Sequence, residues 1–546
     1  MNALRHATTF ARDLPARCGI GSAALFWALV AVLVASAAWM LGHDPPWDSE
    51  AARRIAEGKK LKPEHYGATG LWWAAAANAL LAAGALAFAK LWSPGLAAAD
   101  PAPLLEPGRG RKAFAFTLLA AVLCGAILRA PRLTHSLWND EEYSARTYVW
   151  GKFEPGGGGA LEFKPVTWAE AAWKNKVNNH LLHTFEARLS LKAWQAMAGR
   201  GPEAFSEAAL RFFPFLSGVG TIALVGLLGA MAAGPRAGIA AAILLAISPW
   251  HLRYSVEARG YATMMFCMAA ALCCLLPALR TGRWRWWLGY AAAQAGYLLC
   301  FLGSIYVFAL GNAAAAAIIL AGRGYRGARG RWLSRLGVAN VATLLLFAPA
   351  IAPSVPQIAE YMDDPIAVEG GMGAAWLRDF WTHLTLGFPW ESQLDGEHLG
   401  TSAETLGKAN ILAKAWVAWI APVLGGAGIA LLLWRGWRGR LIAAALAGGA
   451  AAAVAESWAT GSPMHIWYLI YATMALAIAL GVAAAEAARL GRWAQIGAPA
   501  LLILCAGYAC ADPLYASAPS TASRCARSSK RSGARRRRPA RTMARS

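Results

Sequence analysis

Thirteen apolar stretches, most of them long enough to cross a bilayer, constrain what this chain can fold into. A tilted helix needs about 17–25 apolar residues to span the hydrocarbon. The candidate runs are 22–42, 70–91, 113–130, 211–232, 237–250, 261–279, 286–303, 304–322, 337–353, 411–434, 440–456, 465–486 and 496–511. The 237–250 run is marginal by itself, and 286–322 must contain a tight turn near Gly303. Only 15% of the 546 residues are charged, whereas soluble domains carry about 25%. Tryptophan marks many run ends: Trp72, Trp73, Trp92, Trp286, Trp287, Trp434 and Trp467. Such amphipathic rings favour the headgroup layer. The expected fold is therefore an all-α polytopic membrane protein, with about 11–13 transmembrane helices plus amphipathic helices and loops outside the bilayer.

Orientation follows from positive charge. If the N-terminus, with Arg5, Arg12 and Arg17, is cytoplasmic, the later basic loops agree. Arg280, Arg283 and Arg285 fall inside, as do Arg323 to Arg335, Arg435 to Arg440, and Arg489 with Arg492. The loops 131–210, 251–260 and 354–410 fall outside, and the last holds nine acids against Arg378 and Lys408. This places a multi-pass protein in the plasma (bacterial inner) membrane with its polar loops facing out. One feature conflicts. Thirteen crossings put the C-terminal tail outside, although it carries ten Lys and Arg between Arg524 and Arg545. Either 496–511 does not cross or the tail is unusual. Its Ser, Arg, Ala and Pro composition cannot bury a core, so 516–546 reads as disordered. Such a basic stretch in a membrane protein points to headgroups or topology rather than nucleic acid.

The nine cysteines, among them Cys267, Cys273, Cys274, Cys300 and Cys505 inside apolar runs, show no CxxC spacing. They indicate neither a disulfide framework nor a zinc site. The first apolar run is long enough to span and lacks a clear cleavage site, so it reads as a signal anchor.

Chemistry concentrates in two external motifs. In Ser136-Leu137-Trp138-Asn139-Asp140-Glu141-Glu142-Tyr143, acids follow directly on a membrane run. Carboxylates lose hydration there, so they mark a function. Further along the same loop, Gly156 to Gly159 read as a flexible segment, and Asn178-Asn179-His180 precede a helix. In that helix Leu182, Phe185, Leu189 and Met197 recur at helical spacing, with Glu186, Arg188 and Lys192 elsewhere. This is the pattern of a helix lying in the interface, though an ordinary soluble-loop helix shares it. The second motif, Ser248-Pro249-Trp250-His251-Leu252-Arg253-Tyr254-Ser255-Val256-Glu257-Ala258-Arg259-Gly260-Tyr261, reads as a short surface connection. Its Arg253 and Arg259 lie on the side where arginine is otherwise scarce. That favours an anionic ligand such as a phosphate over headgroup anchoring.

In order, SLWNDEEYSA, NNHLL, ALRFFPFLSGVGTIALVGLLG and SPWHLRYSVEARGYA resemble glycosyltransferase family 39. That family includes the polyprenyl-phosphate-mannose protein mannosyltransferases and the lipid A aminoarabinose transferases. The resemblance covers about 113 to 350. It implies a GT-C-type bundle that moves a sugar, with inversion and without nucleotide, from a polyprenyl-phosphate donor to an external hydroxyl. The acceptor could be a protein, a lipid or a glycan. It implies Asp140 as general base and Glu141 as its support or as a ligand to a divalent cation; no other cofactor is implied. Arg259, with Arg253, would bind the donor phosphate. His180, Asn179, Tyr254, Glu257 and Tyr261 would support substrate. His465 stands where relatives often carry Arg-Tyr and would take that place against the donor phosphate. In the acceptor-facing loop, Tyr361, Asp363, Asp364, Trp381, Trp390 and Glu391 are contacts by location alone. The resemblance divides the chain into a two-span extension (1–112), a transferase core (113–515) and a tail (516–546). A lipid or glycan transporter is the rival reading, but no convincing internal repeat is present and the charges sit at the surface rather than the midplane.

Overall fold

The computed structural model describes residues 20–510 except 101, 106–109, 158–159, 176–178, 364–371, 388–405, 408, 463 and 492–493. Asn178, Asp364, Trp390, Glu391 and the tail therefore lie outside the described residues, and of Tyr361 and Asp363 only the helical backbone is described.

The protein is an all-α polytopic membrane protein. In chain order it contains α1 (Ile20–Gly42), α2 (Pro63–Ala87), α3 (Gly110–Arg129), α4 (Asn139–Ser144), β1 (Gly151–Pro155), β2 (Leu161–Pro165), α5 (Trp168–Trp173) and α6 (Leu181–Met197). Then come α7 (Glu207–Ala233), α8 (Pro235–Ile247), α9 (Pro249–Tyr254), α10 (Tyr261–Thr281), α11 (Trp284–Cys300), α12 (Ile305–Ala321) and α13 (Arg329–Ile351). The chain continues through α14 (Val355–Asp363), α15 (Ala374–Leu386), α16 (Ile411–Trp434), α17 (Trp437–Thr460), α18 (Ala472–Ala487) and α19 (Ala494–Ala509). Among the described residues, nine helices are long and apolar enough to span, and α8, α18 and α19 are shorter apolar helices. Most stretches expected to cross are single helices here, but α8 ends at Ile247 and α18 begins only at Ala472, inside the expected 237–250 and 465–486 runs. Among the described residues, the departure from an all-α chain is the antiparallel hairpin β1–β2, whose strands lie on either side of Gly156–Gly159 in the sequence.

The interior is built from α7, α8, α10 and α18. The most apolar part of α10 is 72% buried, against 17% for α1 at the periphery. Small residues let the inner helices approach. A Cβ on Gly238 would come within 2.3 Å of the Gly226 carbonyl, and one on Gly481 within 2.5 Å of the Ala237 carbonyl. Without a hydrophobic drive between helices in lipid, close backbone packing of this kind supplies the attraction.

The connections separate into two ends. At one, arginines hold the turns: Arg335 donates to the Trp92 carbonyl at 3.1 Å, Arg280 to the Asp100 carbonyl at 3.1 Å, and Arg438 pairs with Asp100 at 3.2 Å. The other end gathers the segments 131–210, 248–261, 353–387 and 464–468. Trp376 donates to the Met464 carbonyl at 2.7 Å, and Gln357 donates to the Trp173 carbonyl at 2.7 Å. The grouping of loops thus matches the charge-based expectation. The last described helix, α19, ends near α15, where Cys510 approaches the Thr385 carbonyl at 3.5 Å.

Candidate functional site

α4 begins with three acids in its first turn, where the helix N-terminus favours negative charge. They have different fates. Glu142 is exposed and pairs with Arg146 at 3.0 Å. Asp140, with its side chain 33% exposed, faces Arg259 at 3.9 Å, wider than a hydrogen-bonded pair. Glu141 is fully buried. Arg211 donates to both its oxygens, at 2.8 and 2.6 Å, while the Ala258 N–H donates at 2.5 Å and the Trp138 N–H at 3.2 Å. Four donors match the roughly four acceptor sites of a carboxylate. Glu141 is therefore a clasp between α4, α7 and the segment before α10. Of the two roles expected for Glu141, this arrangement suits support of its neighbour Asp140, since its oxygens already accept four hydrogen bonds. Among the described residues, no group of three or more His, Cys, Asp or Glu is placed to hold a metal ion.

Arg211 was not singled out by the sequence, although a lone arginine in the first turn of an apolar span was the signal. It also donates to the carbonyls of His135 at 2.6 Å and Ser136 at 3.2 Å, which fixes the turn leading into α4.

The 248–260 segment is not a surface connection. Ser248 caps α9 and Pro249 takes its first position, where a missing N–H costs nothing. Every residue from Pro249 to Tyr261 is buried, roofed by α4, α6 and α15. Arg259 donates to the Ser144 hydroxyl at 2.7 Å and lies 5.9 Å from the Tyr261 ring centre. Arg253 donates to Glu257 at 2.7 Å and stands 5.7 Å from the Trp138 ring centre. The second oxygen of Glu257 has no hydrogen-bond partner among the described residues. Burial raises the Glu257 pKa, against the pull of Arg253. His251 receives a 2.7 Å hydrogen bond from Arg129, whose other donors reach the carbonyls of Gly125 and Ala246. That places a cation at the carbonyl ends of α3 and α8.

His180 bonds the Cys300 carbonyl through Nδ1 and meets the Tyr261 ring edge-on at 4.9 Å. Burial pushes its pKa well down, and the Arg259 charge adds to this. Asn179 lines a cavity with His180 and is held in place, its amide donating to the Ala171 and Lys174 carbonyls and its oxygen accepting from Thr184. His465 stacks on Trp467 at 4.2 Å and lies 5.3 Å from Tyr468. The partly exposed Asp140 and the Arg259 it faces mark a cleft; burial lowers the His465 pKa, while the charge of Asp140 acts the other way. A run of rings floors that cleft: Tyr254 to Tyr261 at 5.2 Å, Tyr261 to Phe301 at 5.9 Å, and Phe301 to Tyr468 at 4.8 Å. Trp381, expected to face the acceptor, instead donates its indole N–H to the Val417 carbonyl at 2.8 Å. Ser144, Phe301 and Tyr468 join the cleft without having been singled out.

An apolar groove of about 650 Å³ descends between α16, α17 and α18. Gly425, Gly426, Ala451 and Ala455 line it, and Phe380, Trp381 and Leu469 stand at its upper end. Leu469 also lines a smaller cavity of about 270 Å³ with His180, Phe301 and Tyr468.

A multi-pass helical bundle with an acid–guanidinium cleft at one end defines the class of this protein. Residues 203–352 match the family described as dolichyl-phosphate-mannose-protein mannosyltransferase. No curated protein sequence matches it. Among solved structures it is similar to the oligosaccharyltransferase AglB of Archaeoglobus fulgidus, in complex with an inhibitory peptide and a dolichol-phosphate. The identity is 16%, the TM-score 0.43, and the match covers 76% of this chain and 57% of that one. This chain thus spans little more than half of the archaeal enzyme. It is also similar to ArnT from Cupriavidus metallidurans bound to undecaprenyl phosphate, at 13% identity and a TM-score of 0.38, covering 75% of this chain and 76% of that one.

Proposed function

We propose that the protein is an integral membrane glycosyltransferase that moves a sugar from a polyprenyl-phosphate donor to a hydroxyl acceptor, with inversion and without nucleotide. The observation that carries this reading is the approach of Asp140 and Arg259 to 3.9 Å in one cleft at one end of the bundle. Asp140, the more exposed of the two, takes the proton from the acceptor hydroxyl as its oxygen bonds the anomeric carbon. The bond from that carbon to the phosphate oxygen breaks, and its electron pair leaves with the lipid phosphate. Arg259, supported by Arg253, stabilises the charge that grows there. His465, stacked on Trp467 and next to Tyr468, is a further candidate contact to the phosphate. The apolar groove between α16, α17 and α18 accommodates the lipid tail, which agrees with a donor that never leaves the bilayer. The cleft would face outward from the plasma membrane, opposite the arginine-rich end. The alternative, a transporter, would place its polar groups nearer the midplane.

Arg259→Lys keeps the charge and loses the planar fork. It should raise the KM for lipid-phosphate sugar by about 10-fold or more, with the acceptor KM little changed. A change in the acceptor KM alone would overturn the phosphate assignment.

A further inference from the structure

α4 divides two compartments. Asp140 and Ser144 face Arg259, whereas Asn139 and Tyr143 of α4, with Arg146 just beyond it, line a second cavity of about 720 Å³. Its remaining walls are the β1–β2 hairpin and α5. The size suits a small ligand, since such sites are about 300–1,000 Å³. Its lining includes four cations, Arg146, Lys152, Lys164 and Lys174, and three carboxylates, Glu142, Glu154 and Glu170.

Each carboxylate is already engaged. Glu142 pairs with Arg146 at 3.0 Å. Glu170 accepts from the Thr167 N–H at 2.8 Å and its hydroxyl at 3.0 Å. Lys152 and Lys164 are cross-strand partners and share the single carboxylate of Glu154. Lys174 forms no ion pair among the described residues. The cavity therefore carries an excess of cationic donors over acceptors. Tyr143, 41% exposed, adds a ring face beside them.

We propose that this cavity is the acceptor site and that it takes a water-borne acceptor bearing an oxyanion close to the hydroxyl that receives the sugar. The proposal rests on the transferase reading. Asn139, the neighbour of Asp140 in α4, lines the cavity, so an acceptor held here lies on the flank of that residue while its anion sits against the lysines. A lipid tail would find no wall to match it, because the lining is polar. The two additional spans bear on this site as well. The Trp173 ring, at the end of α5, fills the space where Gly67 of α2 would carry a Cβ, which would lie 2.4 Å from the ring. α2 thus buttresses the wall that presents Lys174.

The test uses the full chain in lipid nanodiscs, with trigalacturonate as the anionic probe, maltotriose as the neutral probe of similar size, and undecaprenyl phosphate for the donor cleft. At low salt trigalacturonate should bind about 10-fold more tightly than maltotriose, and Lys174→Gln should remove most of that difference. Lys164→Gln, which leaves Lys152 to hold Glu154, gives a second reading from the opposite wall. Equal binding of the two trisaccharides, or a preference that neither variant alters, overturns the proposal. Failure of the wild-type protein to bind undecaprenyl phosphate would instead count against the transferase reading, and leaves the anion preference to be judged by itself.

Discussion

Asp140 and Glu141 are adjacent in sequence and opposite in environment. Glu141 is enclosed by Arg211 and two backbone N–H groups, whereas Asp140 reaches solvent beside Arg259. Their chemistry should separate accordingly. Glu141→Gln leaves the Arg211 guanidinium buried without its counter-charge, and breaking such a pair costs about 3–5 kcal/mol. The apparent melting temperature of the purified protein should fall markedly in this variant. An unchanged melting temperature would contradict the clasp. The acidic pair was legible in the sequence because acids rarely follow a membrane run by chance. Which acid is consumed was not, since that depends on Arg211, 70 residues away.

At the scale of elements, α6 shows what local periodicity conveys and what it omits. The helix expected from the spacing is present, and Leu189 and Met197 are exposed as an interfacial face requires. The face opposite is also occupied: Thr184, Ala187, Arg188 and Leu191 pack inward, and Arg188 donates to the Val149 carbonyl at 2.9 Å. Glu186, read as a polar-face residue, turns into the bundle and accepts from the Thr263 hydroxyl at 3.0 Å, which itself lies 3.2 Å from that of Ser217. Burial raises its pKa to about 7. The folded state therefore holds the proton more tightly than the unfolded chain, so stability falls as pH rises from the ordinary carboxylate range through about 7. Glu186→Gln should raise the melting temperature at pH 8 and leave it nearly unchanged at pH 5. A lower melting temperature at pH 8 would contradict the buried placement. The 248–260 segment was misread for a similar reason. Its charges looked like a surface turn because the roof over them comes from α4, α6 and α15, distant in sequence. The hairpin was missed although Lys152-Phe153-Glu154 and Glu162-Phe163-Lys164 alternate as strands do.

For the whole molecule, span length and charge asymmetry made the bundle legible, because hydrocarbon thickness and unpaired backbone groups leave few alternatives. The lateral groove was not legible: glycine and alanine in a membrane helix serve close packing as readily as an open furrow. Gly428 illustrates the first, with the Ala479 carbonyl within 2.0 Å of where a Cβ would be; Gly426 illustrates the second, with nothing within 4 Å. Gly426→Leu should therefore fold normally and narrow the groove. It should weaken binding of a long polyprenyl phosphate by about 10-fold and spare a two-isoprene analogue. Equal loss for both lengths would place the tail elsewhere.

The central claim, that an aspartate and an arginine at one rim of the bundle act together on a lipid-borne sugar, is tested most directly by single-turnover transfer. Purified protein in proteoliposomes would be given a polyprenyl-phosphate sugar and a hydroxyl acceptor, wild type beside Asp140→Asn. Base assistance is worth roughly 10²–10⁴ in rate, so the variant should retain donor binding and its melting temperature while transfer falls by about that factor, and the wild-type product should carry the anomeric configuration opposite to the donor's. Undiminished transfer in the variant, or lipid-linked sugar that crosses the bilayer with its phosphate bond intact, would contradict it.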